Sequence, residues 1–282
     1  LEMDRNIFAA MYYAAVEESV ALALRDGPYE SFRGSPASEG QLQCDLWAGW
    51  YEAHNARKDL AGCVAPLAPP TQVGALNLDW VRLRAQVAHH GLRNSLLTAC
   101  MPTASTAQIQ GNTESTEPAC AFISIRRTKS GDFAVINRPL QEHLQKQGLW
   151  NADTVQLLMR DRGSVANLKG LSDDDKAIFR TAWEIKQRHL LRHSAARGPF
   201  VCQSQSLNVF MSDVTHSKLT SLHFTAWKMG LKTSTYYLRT LDPATPVAIT
   251  LDAAAASNAA SNPSDAEKAS TDAPAECLSC SA

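Results

Sequence analysis

Near the end of the chain, Cys277 and Cys280 form a Cys-x-x-Cys pair within Glu276-Cys277-Leu278-Ser279-Cys280-Ser281-Ala282. That spacing suits a small, reversible disulfide. The stretch before it, Asp252 to Ala275, is nearly all Ala, Ser, Asn, Asp, Pro, Thr and Glu, with no large apolar residue. Such a composition buries too little surface to offset ordering entropy, so it reads as a disordered tether. A tether of about 25 residues has a root-mean-square span of about 25–30 Å. A dithiol mobile over that range is suited to carrying electrons by thiol–disulfide exchange. Half of a zinc site is the alternative, but zinc needs two further ligands nearby. The tail supplies no His and no third Cys. A structural disulfide would have little to staple there, and accidental spacing stays open at this level.

Two further clusters could do chemistry. In Met101-Pro102-Thr103-Ala104-Ser105-Thr106, three hydroxyls stand where a short helix begins. Amides at a helix start point outward and bind anions, and small residues admit close approach. Pattern alone gives ordinary N-capping equal standing. No Gly-x-x-x-x-Gly-Lys-Ser/Thr is present, so this is not a P-loop. The second cluster is Tyr236-Tyr237, in a β-prone stretch. Neighbours in a strand face opposite sides, so one core and one surface tyrosine are expected. The sharper reading is a redox relay, because a phenol can lose an electron if its proton (pKa about 10) has somewhere to go.

These residues need a scaffold. Leu1 to Leu24 reads as a helix, with Ile7, Phe8, Met11, Tyr12, Ala15, Val16 and Val20 apolar, ending near Arg25-Asp26-Gly27-Pro28. No capping signal precedes it, and the simpler inference is that a larger protein has been cut here. Tyr29 to Asp79 reads as loop-rich. Trp80 to His90 is a helix stopped by Gly91, and Asn94 to Ala99 a short strand leading into the hydroxyl cluster and a helix to about Gln110. Ser172 caps a helix whose apolar side runs from Ile178 through Ala182, Trp183 and Ile185 to Leu190 and Leu191, stopped by Gly198-Pro199. Phe200 to Phe210 is a buried strand, Lys218 to Met229 a helix and Thr233 to Thr240 a strand. This alternation predicts an α/β body.

Without the tail, about 250 residues of the 282 remain, enough for one large domain. Residues 1–251 are therefore expected to form the body and 252–282 the tail. The tail's five acids against Lys268 leave it at −4 in a chain of −1, so the body is about +3. That balance offers no field suited to nucleic acid or a membrane. The apolar runs read as short and broken by charges, so no bilayer-spanning helix is expected, and no signal peptide is recognisable. Seven cysteines without repeating spacing do not form a secreted disulfide framework. A reducing, cytoplasmic setting is expected.

An ordered set of motifs resembles one family. Thr98-Ala99-Cys100-Met101-Pro102-Thr103-Ala104-Ser105-Thr106-Ala107-Gln108-Ile109, Gly111-Asn112-Thr113-Glu114-Ser115 and Glu117-Pro118 resemble the large subunit of class I ribonucleotide reductase. So do Gly27-Pro28-Tyr29-Glu30 with Gly34-Ser35-Pro36, Gln203-Ser204-Gln205-Ser206-Leu207-Asn208 and Leu219-Thr220-Ser221-Leu222-His223-Phe224. Trp227-Lys228-Met229-Gly230-Leu231-Lys232-Thr233 leads into Tyr236-Tyr237-Leu238-Arg239-Thr240, and Cys277-Leu278-Ser279-Cys280 completes the series. Each motif is weak alone; the collinear set covers nearly the whole chain.

The resemblance implies the C-terminal part of a ten-stranded α/β barrel followed by a disordered redox tail. It implies that Thr103, Ala104, Ser105 and Thr106 grip a ribonucleoside diphosphate. Tyr236 and Tyr237 would be a stacked relay taking an oxidising equivalent from the small subunit. Cys277 and Cys280 would re-reduce an active-site disulfide and be reduced by thioredoxin or glutaredoxin. No cofactor is expected on this chain; the small subunit would carry the metal or radical cofactor, and the full-length large subunit would form a homodimer. Cys100 stands where many relatives have Pro, Cys120 where Tyr is common, and Trp50 to Asn77 looks like a divergent insertion. The family's radical cysteine lies in an Asn-x-Cys-x-Glu context, which none of Cys44, Cys63, Cys100, Cys120 and Cys202 has. The fragment alone is therefore expected not to reduce nucleotides. The rival readings are a non-catalytic paralogue that binds the small subunit and a stand-alone thiol–disulfide protein.

Overall fold

The computed structural model describes residues 1–55 and 76–241, with the side chains at 54, 55, 127 and 128 outside that description. Cys63, Cys277, Cys280 and the whole 252–282 tail also lie outside the described residues. Helix α1 (Glu2–Asp26) turns Ala9, Tyr12, Tyr13, Val16, Val20 and Ala23 into the core, a stripe at helical spacing. It packs on α3 (Trp80–His90), which buries Trp80, Leu83 and Val87 and is capped by Asp79 accepting the Arg82 amide at 2.9 Å. Trp80 stacks between Tyr12 and Phe200, with ring centroids 6.4 and 6.1 Å away. Burying side chains of this size contributes about 1.5–3 kcal/mol each. By length and composition α1 is apolar enough to cross a membrane, against the expectation of short, charge-broken runs. Its stripe is instead covered by α3 and α8 (Gln187–Arg197).

The stretch read as loop between Tyr29 and Asp79 contains a 3₁₀ turn, Pro36–Glu39, and helix α2 (Gln43–Asn55). Two tryptophans of α2 dock on glycines. A Cβ on Gly198 would meet the Trp47 ring at 2.7 Å, and one on Gly230 would run into the Trp50 ring. Tertiary contact of this kind, rather than propensity, makes the helix.

Asn94–Ala99 is not a strand; only Cys100 makes a bridge, parallel to Gln205. Helix α4 (Ala104–Gln110) follows as expected. Residues 121–171, not assigned from sequence, hold an antiparallel hairpin, β1 (Ile123–Thr128) with β2 (Gly131–Ile136). Asn-capped helices α5 (Arg138–Lys146) and α6 (Ala152–Arg160) come next. Leu140, Leu144, Leu158, Val165 and Leu168 close a local core with Phe122 and Ile123.

The long helix expected after Ser172 is two. Helix α7 (Asp173–Ile178) stops at Phe179, and α8 begins only at Gln187. Between them the Glu184 carboxylate accepts both the amide (2.8 Å) and the hydroxyl (2.7 Å) of Thr181, and the Ala182 amide donates to Ala119 O at 2.8 Å. This Thr-x-x-Glu closure satisfies the backbone outside a helix. The apolar positions on either side belong to different faces.

Beyond α8, Gly198–Phe200 is a 3₁₀ turn and the expected Phe200–Phe210 strand shrinks to β3 (Val209–Met211). Helix α9 (His216–Lys228) then crosses to β4 (Leu238–Thr240), which pairs with β3 in parallel. Leu191, Leu207, Val209, Leu222, Ala226 and Met229 bury that β–α–β unit. Among the described residues the strands form two two-stranded sheets.

Candidate functional site

The hydroxyl cluster is held by the segment that precedes β3. Thr98 Oγ1 donates to Phe200 O (2.8 Å) and accepts the Cys202 amide (3.1 Å), while the Ser206 amide donates to Cys100 O at 2.9 Å. These bonds lay 98–100 beside 200–206. Thr103 occupies the N-cap of α4 but does not cap it; its Oγ1 accepts the Ser115 amide at 2.7 Å instead. The first-turn amides of α4 therefore have no side-chain cap, and Ala104, Ser105 and Thr106 are exposed around them. Thr106 Oγ1 reaches back only to Thr103 O, at 3.4 Å.

The next segment, 112–117, ties this loop to everything near it. Ser115 has φ 49°, a left-handed conformation unusual for serine, and its Oγ lies 3.5 Å from Ser206 O. Thr116 Oγ1 accepts from Arg197 Nη2 at 2.9 Å. Arg197 is 3% exposed and also donates to Gln205 Oε1 (2.7 Å) and Asp4 Oδ2 (3.0 Å). Burial pushes the Asp4 carboxyl up, but the His193 hydrogen bond and the Arg197 charge outweigh it and hold Asp4 below its ordinary value. Glu114 Oε2 accepts from Arg239 Nη2 at 2.9 Å.

The two tyrosines lie just before β4, not within it. The Tyr236 amide donates to Leu207 O at 2.7 Å, the Tyr237 amide to Asn208 Oδ1 at 3.0 Å, and the Val209 amide to Tyr237 O at 2.9 Å. Because the chain bends at Tyr236, strand alternation does not apply, and the expected pairing of one core with one surface tyrosine fails. The rings are 48% and 44% exposed, with centroids 4.2 Å apart and planes at 52°. The Arg239 guanidinium carbon sits 5.8 Å from the Tyr237 ring centroid.

Thr103, Ala104, Ser105 and Thr106 are thus contiguous at one helix start, and Tyr236 and Tyr237 touch. Segments 112–117 and 205–208 join the two groups through hydrogen bonds. Cys277 and Cys280 fall outside the described residues. Sequence reasoning assigned no role to Arg197, Glu114, Glu117, Asn208 or Arg239. Four of these five lie inside the quoted motifs, which was the available signal. Among the described cysteines, all free, Cys44 is buried and pushed up to about 12 by burial and by Asp45. A thiol held so far from its thiolate is inert at neutral pH.

The family model "Ribonucleotide reductase, barrel domain" matches residues 1–237. A ribonucleoside-diphosphate reductase large subunit from Plasmodium falciparum (isolate Dd2) is 45% identical over 258 residues, 92% of this chain and 29% of that protein. The Caenorhabditis elegans large subunit is 41% identical over 99% of this chain and 32% of its own length. The Danio rerio one is 41% identical over 89% and 29%. A solved structure, the Actinobacillus ureae class Id ribonucleotide reductase alpha subunit, is 29% identical with a TM-score of 0.48, covering 56% of this chain and 28% of that one, too slight a likeness to carry an argument. The chain spans about three-tenths of the length of these large subunits. With the barrel-domain match running from Leu1 to Tyr237, the chain belongs to the ribonucleotide reductase large-subunit family.

Proposed function

We propose that this chain is the C-terminal part of a ribonucleoside-diphosphate reductase large subunit, which converts ribonucleoside diphosphates to deoxyribonucleoside diphosphates by radical chemistry. The observation that carries the reading is that an uncapped hydroxyl-rich helix start and a touching pair of tyrosines share one hydrogen-bonded frame. Thr103, Ala104, Ser105 and Thr106 receive the substrate diphosphate: exposed amides and small hydroxyls offer several donors to a dianion. Tyr236 and Tyr237 pass the oxidising equivalent from a small subunit, which carries the metal or radical cofactor. The rest of a ten-stranded barrel, with the radical cysteine, comes from elsewhere in the complete subunit, so residues 1–282 alone are inactive. The Caenorhabditis elegans large subunit aligns over 99% of the chain, so the alignment runs into the tail that carries Cys277 and Cys280.

The test is turnover by the complete large subunit with its small subunit, driven by thioredoxin or by dithiothreitol. Thiolate attack requires an accessible thiol and a leaving thiol, not a folded tail. C277S and C280S lose thioredoxin-driven turnover but keep most of the dithiothreitol-driven turnover, because a small dithiol reaches the inner disulfide directly. Equal loss with both reductants sinks the shuttle. No deoxynucleotide product from the wild type with either reductant favours the non-catalytic reading.

A further inference from the structure

Glu117 is a carboxylic acid in the wrong place for a surface group. It is only 9% exposed, its Oε1 is buried with no hydrogen-bond partner, and it is the last residue of the 112–117 segment that frames the site. Its carboxyl lies near enough to the Asn208 side chain for that amide to draw its pKa down. Asn208, itself 4% exposed, accepts the Tyr237 amide on its Oδ1 at 3.0 Å, which leaves its NH₂ as the donor available on the Glu117 side. Beside them Arg239 binds Glu114 at 2.9 Å, holds a buried Nε without a partner, and lies 5.8 Å from the Tyr237 ring centroid. A buried carboxyl with a spare acceptor costs stability unless something is gained by it.

Resting on the relay reading above, we infer that Glu117 is a positioning residue for the tyrosine relay, acting through Asn208 on the Tyr237 backbone and so on the contact between the two rings. The inferred chain is short: the carboxyl acts on the Asn208 NH₂, and Asn208 Oδ1 accepts from Tyr237 N–H. Tyr237 is thereby held at its own residue on one side and by β3 pairing on the other, through Val209 N–H. Electron transfer between two phenols depends on their separation, and a misplacement of about 1 Å costs up to about 10²-fold in rate. Burial pushes the Glu117 carboxyl up to about 7, with Arg239 pulling it down and Glu114 pushing it further up; the Cys120 thiol also feels the cluster. Near neutral pH Glu117 thus changes charge, and the ionised form is the stronger acceptor for Asn208.

The test uses the complete large subunit with its small subunit. E117L lowers kcat by about tenfold or more while KM and small-subunit affinity stay put, since only the relay is displaced. E117Q keeps an acceptor for Asn208, recovers kcat to within about threefold of wild type, and loses a limb in the kcat–pH profile that rises through about pH 7. N208A matches E117L, and the double variant is no worse than either, because the two act in series. If E117L does not fold, the E117Q profile decides alone. Wild-type kcat in E117L, an E117Q profile that keeps the limb, or additive losses in the double variant would each overturn the inference. Y237F separates this from the relay itself: an active Y237F removes the relay reading, whereas an inactive Y237F with an unaffected E117L removes only the role of Glu117.

Discussion

The helix start at Thr103–Thr106 and the tyrosine pair at Tyr236–Tyr237 are built in opposite ways. At the first, the residue that should cap the helix turns its hydroxyl to Ser115, and the first-turn donors face solvent. At the second, both amides and the Tyr237 carbonyl are committed within the protein. The difference suits the two roles proposed for them. A ligand site leaves its donors unfilled and receives its partner from outside; a relay fixes a distance and must be braced from within. Bracing has a cost, visible in the unpartnered Glu117 and Arg239 atoms, that the open helix start does not bear.

The largest effect that could break this comparison comes from the phenols. Y236F or Y237F in the complete enzyme keeps the ring and removes the ionisable hydroxyl, so turnover falls to background while substrate and small-subunit binding persist. Were they merely packed residues, the Phe variants would stay active with at most about 1 kcal/mol of stability lost. Next, S105A/T106A weakens diphosphate binding by roughly 1.5–3 kcal/mol for each hydrogen bond to a charged oxygen. Because those hydroxyls brace little, the melting temperature of the double variant stays that of the wild type; unchanged substrate affinity by equilibrium dialysis refutes the site.

The smallest effect reads the cost of bracing. Glu117 holds its proton to about pH 7, against an ordinary value of 4.5, so the folded state binds more protons than the unfolded one between those values. Stability therefore falls as pH rises from about 4.5 to about 7 on account of this group. E117Q cannot ionise. By urea denaturation it is more stable than wild type above pH 7 by about 3 kcal/mol, and the gain fades towards pH 5. A gain that is constant with pH would place the effect elsewhere.

Much of this was legible in the sequence, unevenly. Helices α1, α3, α4 and α9 announce themselves by apolar spacing with Gly or Asp at their ends. Helix α2 does not, because Trp47 and Trp50 find their partners 151 and 180 positions away at Gly198 and Gly230. The break between α7 and α8 hides in an unbroken apolar pattern, and only the Thr181–Glu184 closure reveals it. The hydroxyl cluster and the tyrosines were found by residue type. Glu117 and Asn208 were inside recognised motifs, yet the role inferred for them depends on the Asn208 side chain standing between a carboxyl and the Tyr237 amide, which spacing does not encode.

The bond from Arg197 to Asp4 spans 193 residues. During synthesis, α1 leaves the ribosome long before α8 exists, with only α3 available to cover part of its apolar stripe and Asp4 without its cation. Closing so long a loop carries an entropic cost that grows only slowly with length, but it must be met before any of the contacts it permits. The same arginine binds Thr116 and Gln205, so the frame of the site locks when α8 docks on α1. A nascent chain stalled before that point would hold α1 with its α8-facing side uncovered and the frame of the site unlocked.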